Sequence, residues 1–318
     1  MTERRLKIKD DYLIPKQVPS DIPHGDMPRD IVVITEKHIE KTSAIFPQLV
    51  GRLAEKGLLT RKDKIVISVF GGAGAGKSEV ASVLSYYFAC NGWNCYVLSG
   101  DNYNRRVPVS NFPERTRIFR SGGVHGLLLN KLYNPDVKNT LDKMWTGQDD
   151  FNVDLVEQYP FLKIYQEYGR AALTEYLGSV MEMEYEIMNP IIKEFKEGRD
   201  HIMLKRMNNG PDEIWYEEVD FYNIDIMFIE WVHASHQLLE GIDLWIMLDG
   251  TPQDTVAHRA MRKREKEIQG PWISVVLDIE DRQMRMGAKK AAIIVTKEGE
   301  IIDYPQYQKM RFAFGYNE

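Results

Sequence analysis

Apolar residues along this chain follow two alternating rhythms. Short β-branched and aliphatic runs recur at KIVISVF (64–70), NCYVLSG (94–100), IDIMFIEW (224–231) and LWIMLDG (244–250). Each has the length and near-continuous hydrophobicity of a strand buried on both faces of a parallel sheet. Between them the spacing becomes helical. EKHIEKTSAIFPQLVGRLAEKG (36–57) stops at Gly57, and SEVASVLSYYFACNG (78–92) closes on Asn91-Gly92. The middle of the chain, about 111–200, is dominated by helical pattern. Its stretch 157–198 predicts two helices with breaks near Gly178 and at Pro190, and its many Tyr and Met residues read as packing. HIMLKRM (201–207) and EIWYEEVDF (213–221) predict a hairpin turning at Asn209-Gly210. DTVAHRAMRKREKEI (254–268) predicts a basic helix, and AAIIVTKEGEII (291–302) a last strand or a hairpin around Glu298-Gly299. The first 30 residues hold Pro15, Pro19, Pro23 and Pro28 and predict an extended arm rather than a packed element.

Strands alternating with helices predict an α/β fold, a parallel sheet with helices on both faces. Ligands of such a sheet bind beyond the carboxyl ends of its strands. The expected organisation is an N-terminal arm and helix (1–62), one α/β domain (63–303) with a helical insertion at about 111–200, and a C-terminal tail (304–318). There is no internal repeat.

The segment joining the first strand to its helix adds chemistry. Gly71 to Ser78 read GGAGAGKS, which fits the phosphate-binding loop of P-loop NTPases, and the strand before and helix after are the context that motif requires. The expected ATP-binding residues are Gly71, Gly72, Ala73, Gly74, Ala75, Gly76, Lys77 and Ser78. Their backbone N–H groups wrap phosphates at a helix N-terminus. Lys77 reaches the β- and γ-phosphates, and the Ser78 hydroxyl ligates Mg²⁺. A kinase, a motor, a switch GTPase and a nucleotide sensor all carry such a loop. A GTPase also needs a guanine-reading N-K-x-D, which this chain lacks, and no surface for tracking a polymer is visible.

The residues after the other strands narrow the choice. SGDNYNRR (99–106) puts Asp101 just past the second strand. A carboxylate there can take the proton of an attacking hydroxyl; as a plain structural residue it would cap a turn. Arg105 and Arg106 suit a phosphate or carboxylate on an acceptor, or a solvated loop. Glu230 ends the third strand, where a second acid can hold Mg²⁺ or form an ordinary ion pair. Glu230, His233 and His236 also allow a zinc reading, although no closed zinc-ligand spacing accompanies them. Asp249 follows the fourth strand. The basic helix after it carries His258, Arg259, Arg262, Lys263 and Arg264, and its arginines could offset charge on a transferring phosphoryl group or face solvent.

Bulk properties exclude several classes. With 318 residues, 43% of them hydrophobic, and a net charge of −6, the chain has a sizeable core and no general affinity for nucleic acid or membrane. Two cysteines, Cys90 and Cys95, form no disulfide framework. The N-terminus lacks an apolar signal segment, and no run has the length of a membrane span, so a cytoplasmic protein is expected. A homo-oligomer remains compatible with these properties.

Four features together resemble the phosphoribulokinase/uridine kinase family of P-loop kinases. They are GGAGAGKS after a strand, the segment GDNYNRR, the hairpin leading into IDIMFIEWVHA, and the Arg-rich HRAMRKRE. The resemblance spans about 64–268. It implies ATP as donor and a small-molecule hydroxyl as acceptor. By position it implies a base role for Asp101, metal support from Glu230, and lid roles for Arg259 and Arg262. It also implies acceptor contacts from Tyr103, Arg105, Arg106, Lys205 and Arg206. Trp231 stands where that family usually has glycine, and fills space beside the site. The expectation is therefore an ATP- and Mg²⁺-dependent metabolite kinase with catalytic Asp101, Lys77, Arg259 and Arg262 and metal ligands Ser78 and Glu230. The acceptor is expected to be a sugar, sugar phosphate, nucleoside or small hydroxy acid, and the Arg105/Arg106 and Lys205/Arg206 pairs favour an anionic one. The alternative is a nucleotide-binding regulatory protein without kinase activity.

Overall fold

Strand β1 (Ile65–Gly71) is buried along its whole length, as its uninterrupted apolar sequence requires. Ile65, Ile67 and Val69 point into one core with helices α1 (Glu36–Glu55) and α2 (Lys77–Cys90). Val66 and Phe70 point into a second core on the opposite face. The period of two along the strand divides the molecule into these layers. The computed structural model describes residues 12–28, 30–59, 64–208, 210, 213–256, 259, 260 and 270–313.

Strands β2 (Cys95–Ser99), β5 (Ile226–Glu230), β6 (Leu244–Leu248), β7 (Ile293–Val295) and β8 (Ile301–Ile302) join β1 in one sheet of order β2–β5–β1–β6–β7–β8. All pairs are parallel except β7–β8, the predicted terminal hairpin. β1 lies at the centre, with β5 on one side and β6 on the other. The predicted hairpin of β3 (His201–Met207) and β4 (Ile214–Asp220) forms a separate antiparallel pair. Asn209 of its turn lies outside the described residues.

The insertion consists of α3 (Pro108–Leu129), α4 (Pro135–Gly147), α5 (Phe161–Tyr176) and α6 (Tyr185–Lys196). The break at Gly178 is present, but α6 runs through Pro190. Its apolar stripe of Met188, Ile191, Ile192 and Phe195 is buried against the sheet, and that packing outweighs one lost backbone hydrogen bond. α3 and α5 approach closely because Gly123 and Gly126 face tyrosines. A Cβ at those positions would lie 2.5 Å from Tyr165 and 2.4 Å from Tyr168. Phe119, Tyr165 and Leu173 form a third core with Trp272, Val275 and Ile279 of α7 (Pro271–Gly287). The tyrosines and methionines of the insertion are thus largely packing residues. A last helix, α8 (Tyr304–Ala313), follows β8.

The N-terminal arm is extended, as its prolines predict, but it is packed. Tyr12, Ile14 and Val18 lie on the first core and Ile22 is buried in it. Leu13 exchanges two hydrogen bonds with the Asn91 side chain at the end of α2, at 2.8 and 2.9 Å. From there the strap runs toward Val97 and Ser99 at the far end of β2. Among the described residues, no helix is long and apolar enough to cross a membrane. Cys90 and Cys95 are free thiols.

Candidate active site

The loop after β1 closes through glycines. Gly74 and Gly76 have φ of +77° and +90°, a region L side chains rarely adopt. A Cβ on Gly71 would lie 2.5 Å from the Leu248 carbonyl oxygen, so β6 closes over this position. α2 starts at Lys77, so its N-terminus follows the loop directly, an arrangement that attracts anions. Lys77 Nζ donates to the Gly72 carbonyl oxygen across 3.0 Å, which bends its charge back over the loop. Residues Gly71 to Ser78 form one cradle of backbone donors with one ammonium group.

Glu230 lies at the base of this cradle. It ends β5, opposite Val69 of β1 and Ser99 of β2 in the sheet register. Ser78 Oγ donates to its Oε2 across 3.1 Å, and Ser99 Oγ to its Oε1 across 2.5 Å. The carboxylate is only 4% exposed, a position that requires donors or a cation. A buried carboxylate touching the hydroxyl of a phosphate loop is a set of hard oxygen ligands that fits Mg²⁺. Among the described residues, no group of three His, Cys, Asp or Glu is arranged to hold a metal. The zinc reading fails locally: His236 stacks on Tyr185 at 4.9 Å, while Glu230 faces the two serines.

The cradle is covered from two sides. A Cβ on Gly74 would meet Arg259 Cγ at 2.8 Å and Thr255 Cβ at 3.0 Å. The start of the basic segment thus lies on the loop, with Arg259 buried and its Nη2 donating to the Pro252 carbonyl oxygen at 3.3 Å. Arg262, His258, Lys263 and Arg264 lie outside the described residues. On the other side, a Cβ on Gly76 would meet His38 Nε2 of α1 at 3.0 Å. Farther along the sheet edge, Asp249 after β6 pairs with Arg311 of α8. Burial raises the Asp249 carboxyl above its usual range, and Arg311 opposes that rise.

Asp101 belongs to a single 3-10 turn, Gly100–Tyr103, that directly follows β2. Trp231 packs on this turn so closely that a Cβ on Gly100 would lie 2.1 Å from Trp231 Cγ. The space predicted for Trp231 is therefore the face of the Asp101 turn. His233 is buried two residues later, within reach of the charges of Glu182 and Asp101. Burial depresses its imidazole to about 4, so it is neutral at pH 7. Glu182, on the loop between α5 and α6, accepts from Arg115 Nε (2.6 Å), Asn111 Nδ2 (3.1 Å) and the Gly178 N–H (2.8 Å). Arg115 also pairs with Glu280 of α7 across 3.4 Å. Glu280 in turn lines a small cavity with Gly72 and Ala73 of the loop. Asn111, Arg115, Glu182, His233 and Glu280 thus link the Asp101 turn to the phosphate cradle.

The cations expected at the acceptor are each paired. Arg105 bonds Glu186 at 2.6 Å, and Arg106 meets Glu114 at 3.4 Å and the Tyr176 hydroxyl at 2.9 Å. Lys205, 1% exposed, donates to Glu184 at 2.5 Å and to the Asn104 carbonyl oxygen at 2.7 Å. Arg206 donates to Asp26 at 2.8 Å and to Glu217 at 2.6 Å. Tyr103 is fully buried, and burial holds its phenol un-ionised. These residues frame the Asp101 turn, and each of the four cations has a carboxylate partner, Arg106 sharing its Glu114 with Arg117.

Sequence reading missed several members of this constellation. Ser99 stands two residues before Asp101 and was legible as a hydroxyl at a strand end. Asp26, His38, Asn111, Arg115, Glu182 and Arg311 come from an arm, two helices, a Met-rich loop and the tail, and no local spacing links them.

No protein-family model matches the chain. Residues of this chain are 30% identical over 257 positions to a bifunctional α-galactosidase/sucrose kinase of Mediterraneibacter gnavus. The match covers 80% of this chain and 23% of that protein, so the chain spans under a quarter of the length of the curated relative it matches. Among solved structures, the chain is similar to a proposed fructose transport system kinase from Silicibacter sp. TM1040. That similarity has 13% identity and a TM-score of 0.44, and covers 77% of this chain and 94% of the other. It is also similar to a D-glycerate 3-kinase from Cryptococcus neoformans, with 12% identity and a TM-score of 0.44, covering 83% and 97%. The curated relative carries in its name a kinase of a small molecule, the class of family that GGAGAGKS, GDNYNRR, the hairpin and the sequence HRAMRKRE resemble.

Proposed function

We propose that this chain is an ATP- and Mg²⁺-dependent kinase that phosphorylates a hydroxyl of an uncharged, polyhydroxylated small molecule such as a sugar. The observation that carries the reading is the convergence of three parts at one edge of the sheet. A phosphate cradle, a buried Ser78–Glu230 pair at its base and the carboxylate of Asp101 stand on adjacent strand ends.

Each residue then has a role. Gly71 to Ser78 bind the phosphates of ATP. Ser78 and Glu230 would hold Mg²⁺, which when bound would offset negative charge on the phosphates. Asp101 takes the proton of the acceptor hydroxyl as its oxygen bonds to the γ-phosphorus and the bond to the bridging oxygen of ADP breaks. Lys77 and Arg259 stabilise the charge that builds on the transferring group; Arg262 belongs with them by sequence. Most of the acceleration comes from positioning and electrostatics.

An uncharged acceptor is supported by the pairing of all four cations with carboxylates of this chain and by the polar cluster around Glu182. Asn111 Oδ1 and His233 Nε2 are each buried without a hydrogen-bond partner, so the cluster holds uncharged polar groups beside its Arg115–Glu182 ion pair. The sugar kinase named in the curated relative supports the same class. Arg105, Arg106, Lys205, Arg206 and Tyr103 serve this site as its frame.

The test is label transfer from γ-labelled ATP, with and without Mg²⁺, to a panel of sucrose, fructose, glucose, uridine, glycerate and sugar phosphates. The expected result is label on an uncharged sugar, lost a hundredfold or more in Asp101→Asn. Label on sugar phosphates or glycerate alone overturns the neutral acceptor. ATP binding without transfer to any acceptor returns the chain to the regulatory reading.

A further inference from the structure

Asp26 lies on the N-terminal strap, far in sequence from every motif, and its side chain is only 9% exposed. Four donors from three elements converge on it. The Ser99 N–H reaches Oδ1 at 2.7 Å and Asn102 Nδ2 at 3.2 Å, while the Tyr96 hydroxyl reaches Oδ2 at 2.9 Å and Arg206 Nη1 at 2.8 Å. Ser99 and Asn102 flank Asp101. Asn102 is fully buried, and its Oδ1 accepts the Met207 N–H of β3 at 3.1 Å. The carboxylate therefore ties the Asp101 turn to β2 and to the hairpin at once. The neighbouring residue extends the contact to the metal pair: a Cβ on Gly25 would lie 3.7 Å from Glu230 Oε1 and 3.6 Å from Val97.

We propose that Asp26 is a positioning residue for Asp101: the strap at 22–28 is part of the active site, and its carboxylate fixes the turn Gly100–Tyr103 beside Glu230. The proposal rests on the kinase reading for its effect on rate, and stands on the contacts above for its effect on the turn. A buried carboxylate so held is costly unless its donors are ordered. Burial raises its carboxyl above the usual range while Arg206 opposes that rise. Donors of this chain already occupy both carboxylate oxygens, so its loss should misplace the base rather than weaken binding. A misplacement of about 1 Å costs on the order of a hundredfold in rate.

The experiment uses the full chain with Asp26→Asn, and with Asn102→Ala as a second variant that removes the turn's side-chain links to Asp26 and to Met207 while keeping the other donors on Asp26. Steady-state kinetics give kcat and KM for ATP and acceptor, and amide hydrogen exchange reports residues 99–103. The expected result is a ten- to hundredfold fall in kcat in Asp26→Asn, with both KM values within about twofold, and faster exchange confined to 99–103. Asn102→Ala should show the same pattern. Unchanged kcat and exchange would show the strap to be packing alone. A variant that gains activity on phosphorylated acceptors would show Asp26 to be a plug in an anion site on Arg206, which also overturns the proposal. If the wild-type chain transfers no phosphate, the kinase reading fails, and exchange at 99–103 still decides whether Asp26 orders the turn.

Discussion

Ser78 Oγ and Glu230 Oε2 meet across 3.1 Å, joining the last residue of the phosphate loop to the last residue of β5. The contact exists because β5 pairs directly with β1, which puts Glu230 opposite Val69, just before the strand gives way to the phosphate loop. Glu230→Gln keeps the shape of this pair and removes its charge. In the proposed kinase the Mg²⁺ concentration needed for half-maximal activity should rise ten- to hundredfold. ATP binding without Mg²⁺, followed by calorimetry, should be little changed. A variant with a normal Mg²⁺ titration would remove Glu230 from the metal site.

Gly100 and Trp231 make a steric prediction that needs no assumption about function. The Trp231 ring occupies the space a Cβ on Gly100 would take, and the indole is 1% exposed. Gly100→Ala should therefore destabilise the fold by about 1–3 kcal/mol through overpacking. Trp231→Ala should cost about 3–5 kcal/mol through the cavity it leaves. The two residues share one space, so the double variant should be more stable than the sum of the single losses predicts. Urea unfolding of the four proteins checks this, and strict additivity would contradict the contact.

The buried imidazole of His233 gives the stability a pH dependence of defined sign. In the unfolded chain a histidine titrates near 6.5, whereas burial holds His233 at about 4 in the fold. Above pH 6.5 it is neutral in both states and contributes nothing. As pH falls from 6.5 toward 4, the unfolded chain binds the proton first, so the fold loses up to about 3 kcal/mol from this group. His233→Gln should flatten that part of the curve relative to wild type. Denaturant midpoints between pH 4.5 and 7.5 measure the difference, and parallel curves would count against the buried neutral imidazole.

How much of this was legible in the sequence follows from how far apart the interacting residues lie. The cradle was readable because its chemistry is local: eight consecutive residues, one strand before and one helix after. The parallel sheet was readable because β1 is buried on both faces and shows it as an unbroken apolar run. Glu230 was readable as a strand end, but its pairing with Ser99 depends on β2 and β5 being neighbours, which no local pattern specifies. Asp26 was invisible for the same reason: its partners Tyr96, Ser99, Asn102 and Arg206 lie between 70 and 180 residues away. The four cations were visible as charges, but their carboxylates are on other elements, so their pairing appears only in three dimensions. Pro190 signalled a break because local propensity opposes a proline inside a helix, and burial of the stripe around it prevailed.

Lys205 and Glu184 separate a frame from a binding site. Lys205 is buried and donates to Glu184 at 2.5 Å, while the Glu184 side chain is 17% exposed. Removing one partner of a buried pair leaves the other without compensation, which typically costs about 3–5 kcal/mol. Lys205→Met should therefore lower stability strongly and leave the acceptor KM of the folded fraction near that of wild type. Replacing both partners, as Lys205→Met with Glu184→Leu, should restore most of the stability, because two apolar groups of similar volume need no partner. A direct acceptor contact predicts the opposite ordering. The single variant would then raise the acceptor KM by tenfold or more with modest loss of stability, and the double variant would restore neither. Denaturation midpoints and acceptor KM values for the three proteins distinguish the two outcomes.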